Sequence, residues 1–255
     1  MNNFIINIGR ILINLIVLFG RFITFFAMSI KSIFGQFRVV FLLNNLSNII
    51  ISMAPIMALT SISTGAVITL QMYNGFSRFN VENSIPIVIS LSLARELAPI
   101  MSTVILISRF ITSLASEIAY MKISQQIDAL KVSSIDPMNF LFSHRIIAVI
   151  ISMPFLFTFF YLIGLFGGYI VSVFLLDFSG YEYINQAIDA LQNDDIECGL
   201  IKSLCFGFIS VVIACYNGFF CGDGVKGVSR AVINSVVFSI ISMFILNYIL
   251  TALLF

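Results

Sequence analysis

Apolar runs long enough to cross a bilayer alternate with short polar stretches, and this alternation is the strongest pattern in the chain. A crossing helix needs about 20 predominantly apolar residues. Five runs meet that need: 47–71, 85–108, 146–176, 199–219 and 231–255. Pro55 can kink the first of them, and Gly65 offers it a close-packing point. The third is long enough to tilt or to project beyond the hydrocarbon. The pattern predicts an all-α polytopic membrane protein of five transmembrane helices.

Ahead of these runs, residues 1–45 carry only basic charges, Arg10, Arg21, Lys31 and Arg38. At about 100° per residue, Arg21 returns to within about 20° of Arg10, and Asn14 falls on the same stripe. This predicts an N-terminal amphipathic helix in the membrane interface, with its apolar side in the acyl boundary and its basic stripe on anionic headgroups. A competing reading makes 11–30 a sixth span. It would put Arg21 near mid-bilayer, a costly place for a charge.

Between the second and third runs lies a polar island, 117–137. A charge at the bilayer centre costs about 2.5–3.5 kcal/mol on insertion scales, so the island belongs in water or against a protein partner. A helix over about 113–132 would put Glu117, Met121, Gln125 and Asp128 on one face, and Ser134 with Asp136 and Pro137 would end it. Ile118, Met121, Ile127 and Leu130 would then be exposed unless something covered them. A solvated loop is the plainer alternative. On the acidic stretch 177–197, Tyr181, Ile184, Ile188 and Leu191 recur at helical spacing and predict a short amphipathic surface helix.

Basic residues set the expected orientation. Arg10, Arg21, Lys31, Arg38, Arg109, Lys122, Lys131, Arg145, Lys226 and Arg230 fall on the side of the amino end and the island, against Arg78 and Lys202 on the other. The amino end and the island are therefore expected in the cytoplasm.

Composition agrees. The chain is 60% hydrophobic and 10% charged, whereas about a quarter of a soluble domain is charged. A net charge of +1 excludes a general affinity for nucleic acid or acidic ligands, although the few charges are unevenly placed along the chain. Cys198, Cys205, Cys215 and Cys221 show no C-x-x-C spacing and the single histidine, His144, is distant, so neither a metal site nor a disulfide framework is expected. His144 and Arg145 read as interfacial anchors. There is no G-x-x-x-x-G-K-[ST] loop, G-x-S-x-G elbow or H-E-x-x-H pair. No catalytic residues are expected, and no cofactor bound by this chain. Gly164 and Gly168 form a small-x-x-x-small face suited to close helix packing.

Arg95 and Glu96 are adjacent charges inside the second run. They point about 100° apart, so they cannot neutralise each other across one helix face. Ser92, Glu96, Pro99 and Thr103 share a stripe. Either Arg95, Glu96, Ser92 and Thr103 line a passage, or the two charges anchor to partners on neighbouring helices. A stand-alone secondary transporter or channel using Arg95 and Glu96 is the alternative function, weakened by the absence of an inverted-repeat pattern.

Several fragments, in order, resemble the MlaE (YrbE) family of ABC transporter permeases. They are 65–71, Arg95-Glu96-Leu97-Ala98-Pro99, Ser108-Arg109, Glu117 with Met121, Gln126-Ile127-Asp128-Ala129-Leu130, Asp136-Pro137, Asn217-Gly218, 227–231 and 250–253. The resemblance implies a single permease domain over 1–255, with an interfacial region 1–45 and a five-span core 46–255. It implies a bacterial inner-membrane homodimer that moves lipid, most simply phospholipid, with ATP and magnesium bound by a separate cytoplasmic ABC ATPase. An MCE-domain lipid-binding protein is the expected partner on the far side. The island becomes a coupling helix, with Glu117, Met121, Lys122, Gln125, Gln126, Asp128, Leu130, Asp136 and Pro137 as ATPase contacts. The sequence departs from the family pattern at Phe110-Ile111, Ala119, Ser124-Gln125 and Asn247. Gln125 removes a charge from the expected docking face.

Overall fold

The computed structural model describes residues 2–33, 39–79 and 81–254. Arg38 and Phe255 lie outside the described residues. The chain is built of helices: α1 (Asn2–Ile33), α2 (Val39–Phe76), α3 (Ile85–Ser92), α4 (Ala98–Leu106), α5 (Thr112–Ile123), α6 (Gln126–Val132), α7 (Pro137–Leu141), α8 (Ser143–Phe174), α9 (Gly180–Asp189), α10 (Asn193–Phe219) and α11 (Gly224–Leu254). Two π-helical turns, Leu93–Leu97 and Ile107–Ile111, join α3, α4 and α5 into one rod of 39 residues. Among the described residues no strand occurs. Five stretches are long and apolar enough to cross a membrane: Val39–Phe79, Ile85–Ile123, Pro137–Phe174, Asn193–Phe219 and Gly224–Leu254. The protein is a multi-pass, all-α membrane protein.

Helix α10 packs against α4, α5, α8 and α11, while α2 pairs with α8. Glycines make the second pairing possible. A Cβ on Gly65 would stand 2.8 Å from the Gly164 carbonyl carbon, and one on Gly167 2.8 Å from the Ile62 Cα. Backbones this close leave no room for a side chain, which is the use of a small-residue face within a membrane. The described contacts of α1 come from its last three turns, where Phe25 stacks edge-on against Phe142 at 5.5 Å and Tyr216 at 5.6 Å.

Two local expectations are corrected. The island is not one helix over 113–132 but α5, α6 and α7, because Gln125 takes a left-handed φ of 58° and breaks the rod. The break lets Ile118 and Ile127 be fully buried, so the chain itself covers two of the four residues expected to need a partner. It also dissolves the single face of Glu117, Met121, Gln125 and Asp128. Ser134, with φ 57°, ends α6 while the Ile135 amide donates to the Leu130 carbonyl at 3.0 Å. Asp136 then caps α7 by accepting the Met138 amide at 3.0 Å, with Pro137 in the first turn.

Helix α9 forms as expected but turns its other face inward. Tyr183 and Ala187 are buried, Tyr183 against the Tyr169 ring at 5.8 Å and Ala187 through its carbonyl, which accepts from Ser90 Oγ at 2.9 Å. Tyr181, Ile184 and Ile188 are left on the exposed side. Burial raises the Tyr183 hydroxyl above its ordinary pKa.

Candidate functional site

The rod Ile85–Ile123 carries two charged centres, each near a π-helical turn, a feature frequent at functional sites. The first is built on Arg95 and Glu96. Their divergent directions send them to different partners. Arg95 Nε donates to Asp195 Oδ1 at 2.6 Å. Asp195 is buried and also accepts the Gln192 amide at 3.1 Å, closing a capping box at the start of α10.

Glu96 turns the other way, toward α10 and α11. Lys202, wholly buried, spends its three donors on Glu96 Oε1 at 2.6 Å, the Arg95 carbonyl at 3.0 Å and Thr251 Oγ1 at 2.8 Å. Asn247 Nδ2 donates to the second Glu96 oxygen at 2.9 Å. Two cations and two anions therefore cancel inside a knot that ties the rod to both neighbouring helices. Arg95 and Glu96 keep 39% and 36% of their side chains exposed, so one flank of the knot remains open.

Of the four residues expected along a passage, Arg95 and Glu96 meet in this knot and Ser92 is half-buried one turn away. Thr103, two turns on, is fully buried, its hydroxyl donating back to the Pro99 carbonyl at 2.8 Å. Sequence reasoning missed Asp195, Lys202 and Thr251 as partners. Lys202, a lone base inside the fourth apolar run, was the available signal.

The second centre lies at the island end. Glu117 Oε1 accepts from Arg145 Nη2 at 2.5 Å, so a residue expected to meet a partner is paired within the chain while half its side chain stays exposed. Arg145 is therefore more than an interfacial anchor. Met121, Gln126, Ile127, Ala129, Leu130 and Phe140 line a neighbouring groove of about 260 Å³. Around it Lys122 is half-buried, and Gln125, Asp128 and Asp136 are exposed. The Lys131 ammonium, 3.0 Å away, and the charge of Lys122 hold the Asp128 carboxyl below the usual carboxylate range. Tyr120, Val132 and Ile135 stand exposed nearby, Val132 at 87%.

A family profile described as permease MlaE matches residues 42–253. The chain belongs to the MlaE permease family. It is 45% identical over 201 residues to a probable ABC transporter permease protein of Rickettsia prowazekii, covering 79% of this chain and 78% of the relative. It is 33% identical over 205 residues to the intermembrane phospholipid transport system permease protein MlaE of Haemophilus influenzae, covering 78% and 77%. A chloroplastic protein of Arabidopsis thaliana, trigalactosyldiacylglycerol 1, is 32% identical over 197 residues, covering 77% of this chain and 56% of that protein. The chain is thus an ABC transporter permease of the MlaE family, and the gradient-driven stand-alone transporter is set aside.

Proposed function

We propose that this permease moves phospholipid as one half of a homodimer in a bacterial inner membrane, driven by ATP hydrolysis on a separate cytoplasmic ATPase. In this reading α1 lies in the interface, the amino end and island face the cytoplasm, and an MCE-domain protein takes up lipid on the far side. The name of the Haemophilus relative supports the cargo.

The observation that carries the coupling role is the groove between α6 and α7, ringed by exposed Tyr120, Val132 and Ile135. Apolar surface at a polar end of the molecule asks for a protein partner. A force on α5 is transmitted along an unbroken rod to Arg95 and Glu96, and from there to α10 and α11. Closure of the ATPase pair would tilt the rod and reshape a cavity between the two permease copies, with the open flank of the knot facing the lipid. The exposed stripe Tyr181, Ile184 and Ile188 on α9 is the matching surface for the far-side partner.

The test is co-purification. Replacing Met121, Leu130 and Val132 together by Ala should reduce recovery of the ATPase at least about tenfold while membrane insertion is retained. Undiminished recovery in the triple variant removes the docking role from this groove.

A further inference from the structure

A second cleft, of about 640 Å³, opens beside the island between α2, the π-helical turn of Arg109, α5, the first turn of α8 and the third turn of α11. Its volume is that of a small-ligand site. Its charged lining consists of Arg109, Arg145 and Glu117, so two guanidinium groups face one carboxylate. Asn45, Asn48 and Ser113 add polar wall.

Arg145 is 6% exposed. Its Nη2 is held by Glu117, but its Nη1 is buried with no hydrogen-bond partner. A buried charged donor is ordinarily satisfied, so an idle one marks a missing acceptor. Arg109 forms no salt bridge among the described residues. The surplus positive charge and the unused guanidinium edges call for a compact anion with several oxygens, the geometry that arginine meets best.

Position decides which anion. The helices of the second and third crossings, Ile85–Ile123 and Pro137–Phe174, are far longer than the about 20 residues a bilayer needs, and their uncharged apolar runs end at Ser108 and begin at Ile146, so in this reading Arg109 and Arg145 stand where hydrocarbon gives way to headgroups. The abundant anion at that level is a phosphate ester, and basic pockets between membrane helices hold such groups. We infer that this cleft binds a phosphate ester through Arg109 and Arg145, with Glu117 as the internal acid that the ligand competes against. The site is separate from the Arg95–Glu96 knot and does not rest on the transport reading, because it would serve a permease of any cargo.

The test is native mass spectrometry of the purified full chain in detergent, titrated with phosphatidylglycerol, with diacylglycerol of the same acyl chains and with glycerol 3-phosphate. Phosphatidylglycerol is expected to bind at least about tenfold more tightly than diacylglycerol. Arg109→Gln should weaken it about fivefold to tenfold, and Glu117→Gln, which frees Arg145 without removing a cation, should strengthen it about threefold. Thermal unfolding of each variant separates loss of the site from loss of the fold. Glycerol 3-phosphate binding as well as the lipid, with the same dependence on Arg109, assigns the site to a soluble ester; binding of the lipid alone assigns it to a headgroup. Equal binding of phosphatidylglycerol and diacylglycerol, or affinities unmoved in both variants, overturns the inference. Transport does not enter the readout, so this result and the transport reading fail independently.

Discussion

Arg95, Glu96, Asp195 and Lys202 cancel in pairs, and every donor of the buried ammonium is used. Farther along the same rod, Glu117 satisfies only one edge of Arg145, and Arg109 adds a further cation. Both centres pair arginine with a carboxylate, yet one closes its charges, leaving only the neutral Asn247 Oδ1 without a partner, and the other leaves positive charge over. A closed knot fixes helices relative to each other, whereas an open one waits for an acceptor. The MlaE-family rod therefore has a fastened point near α9 and a receptive one near the island.

The strongest way to break this contrast is to open the closed centre. Lys202→Met leaves Glu96 without its counter-ion and should cost about 3 kcal/mol, the low end for breaking a buried pair because Glu96 keeps a third of its side chain in contact with the surroundings. Thermal unfolding in detergent measures it; a loss below about 1 kcal/mol would mean that the knot fastens nothing. Asp195→Ala removes both the Arg95 acceptor and half of the capping box, with an expected loss of about 2 kcal/mol. At the open centre, Glu117→Gln should cost only about 0.5 kcal/mol, since half of Glu117 is exposed and glutamine still offers an acceptor. Equal losses at Lys202 and Glu117 would abolish the distinction.

Much of this architecture was legible from sequence because hydrocarbon imposes a simple rule. Each of the five apolar runs overlaps one of the five candidate crossings, and Gly65 and Gly164 were each readable as close-packing points, though not as partners of one another. Arg95 and Glu96 were visible as charges pointing apart, to line a passage or to anchor to partners on neighbouring helices. What the sequence hid was which partners: Asp195 lies a hundred residues away and looked like one acid among many in 177–197. The break at Gln125 was hidden for another reason. Glutamine is a good helix former, and the burial of Ile127 beyond it is a tertiary contact that local propensity does not reveal. On α9 the helical period was readable, but not that Tyr183 outcompetes Tyr181 for the space beside Gly168 and Tyr169.

The Gln125 break itself sharpens the comparison, because it fixes how α6 is presented. A left-handed conformation is strained for glutamine and free for glycine. Gln125→Gly should therefore stabilise the α5–α6 turn by about 0.5–1 kcal/mol, read as slower amide exchange in α6. Gln125→Val, which tolerates φ 58° poorly, should speed that exchange. If neither substitution moves it, the turn is held by Ile127 and not by the local backbone.

The smallest expected effect concerns Asp128, in the first turn of α6. Its carboxylate accepts from Lys131 at 3.0 Å, and Lys131 also lies 5.9 Å over the Phe219 ring, so the pair links α6 to α10. Lys131 and then Lys122 lower the Asp128 pKa below its ordinary 3.8. A depressed folded-state value means that the charged form is the favoured one when folded, so its contribution is complete above the unfolded value and disappears as pH falls through the folded one. Amide exchange in α6 should stay constant from neutral pH down to about 4 after correction for the intrinsic rate, then accelerate in more acid solution. Asp128→Asn should remove this acid step and leave exchange near Arg95 unchanged. Because both partners are exposed, 0.5 M salt should blunt the same step, while the buried Lys202–Glu96 pair resists screening. An acid step that persists in Asp128→Asn would place the titrating group elsewhere on the island.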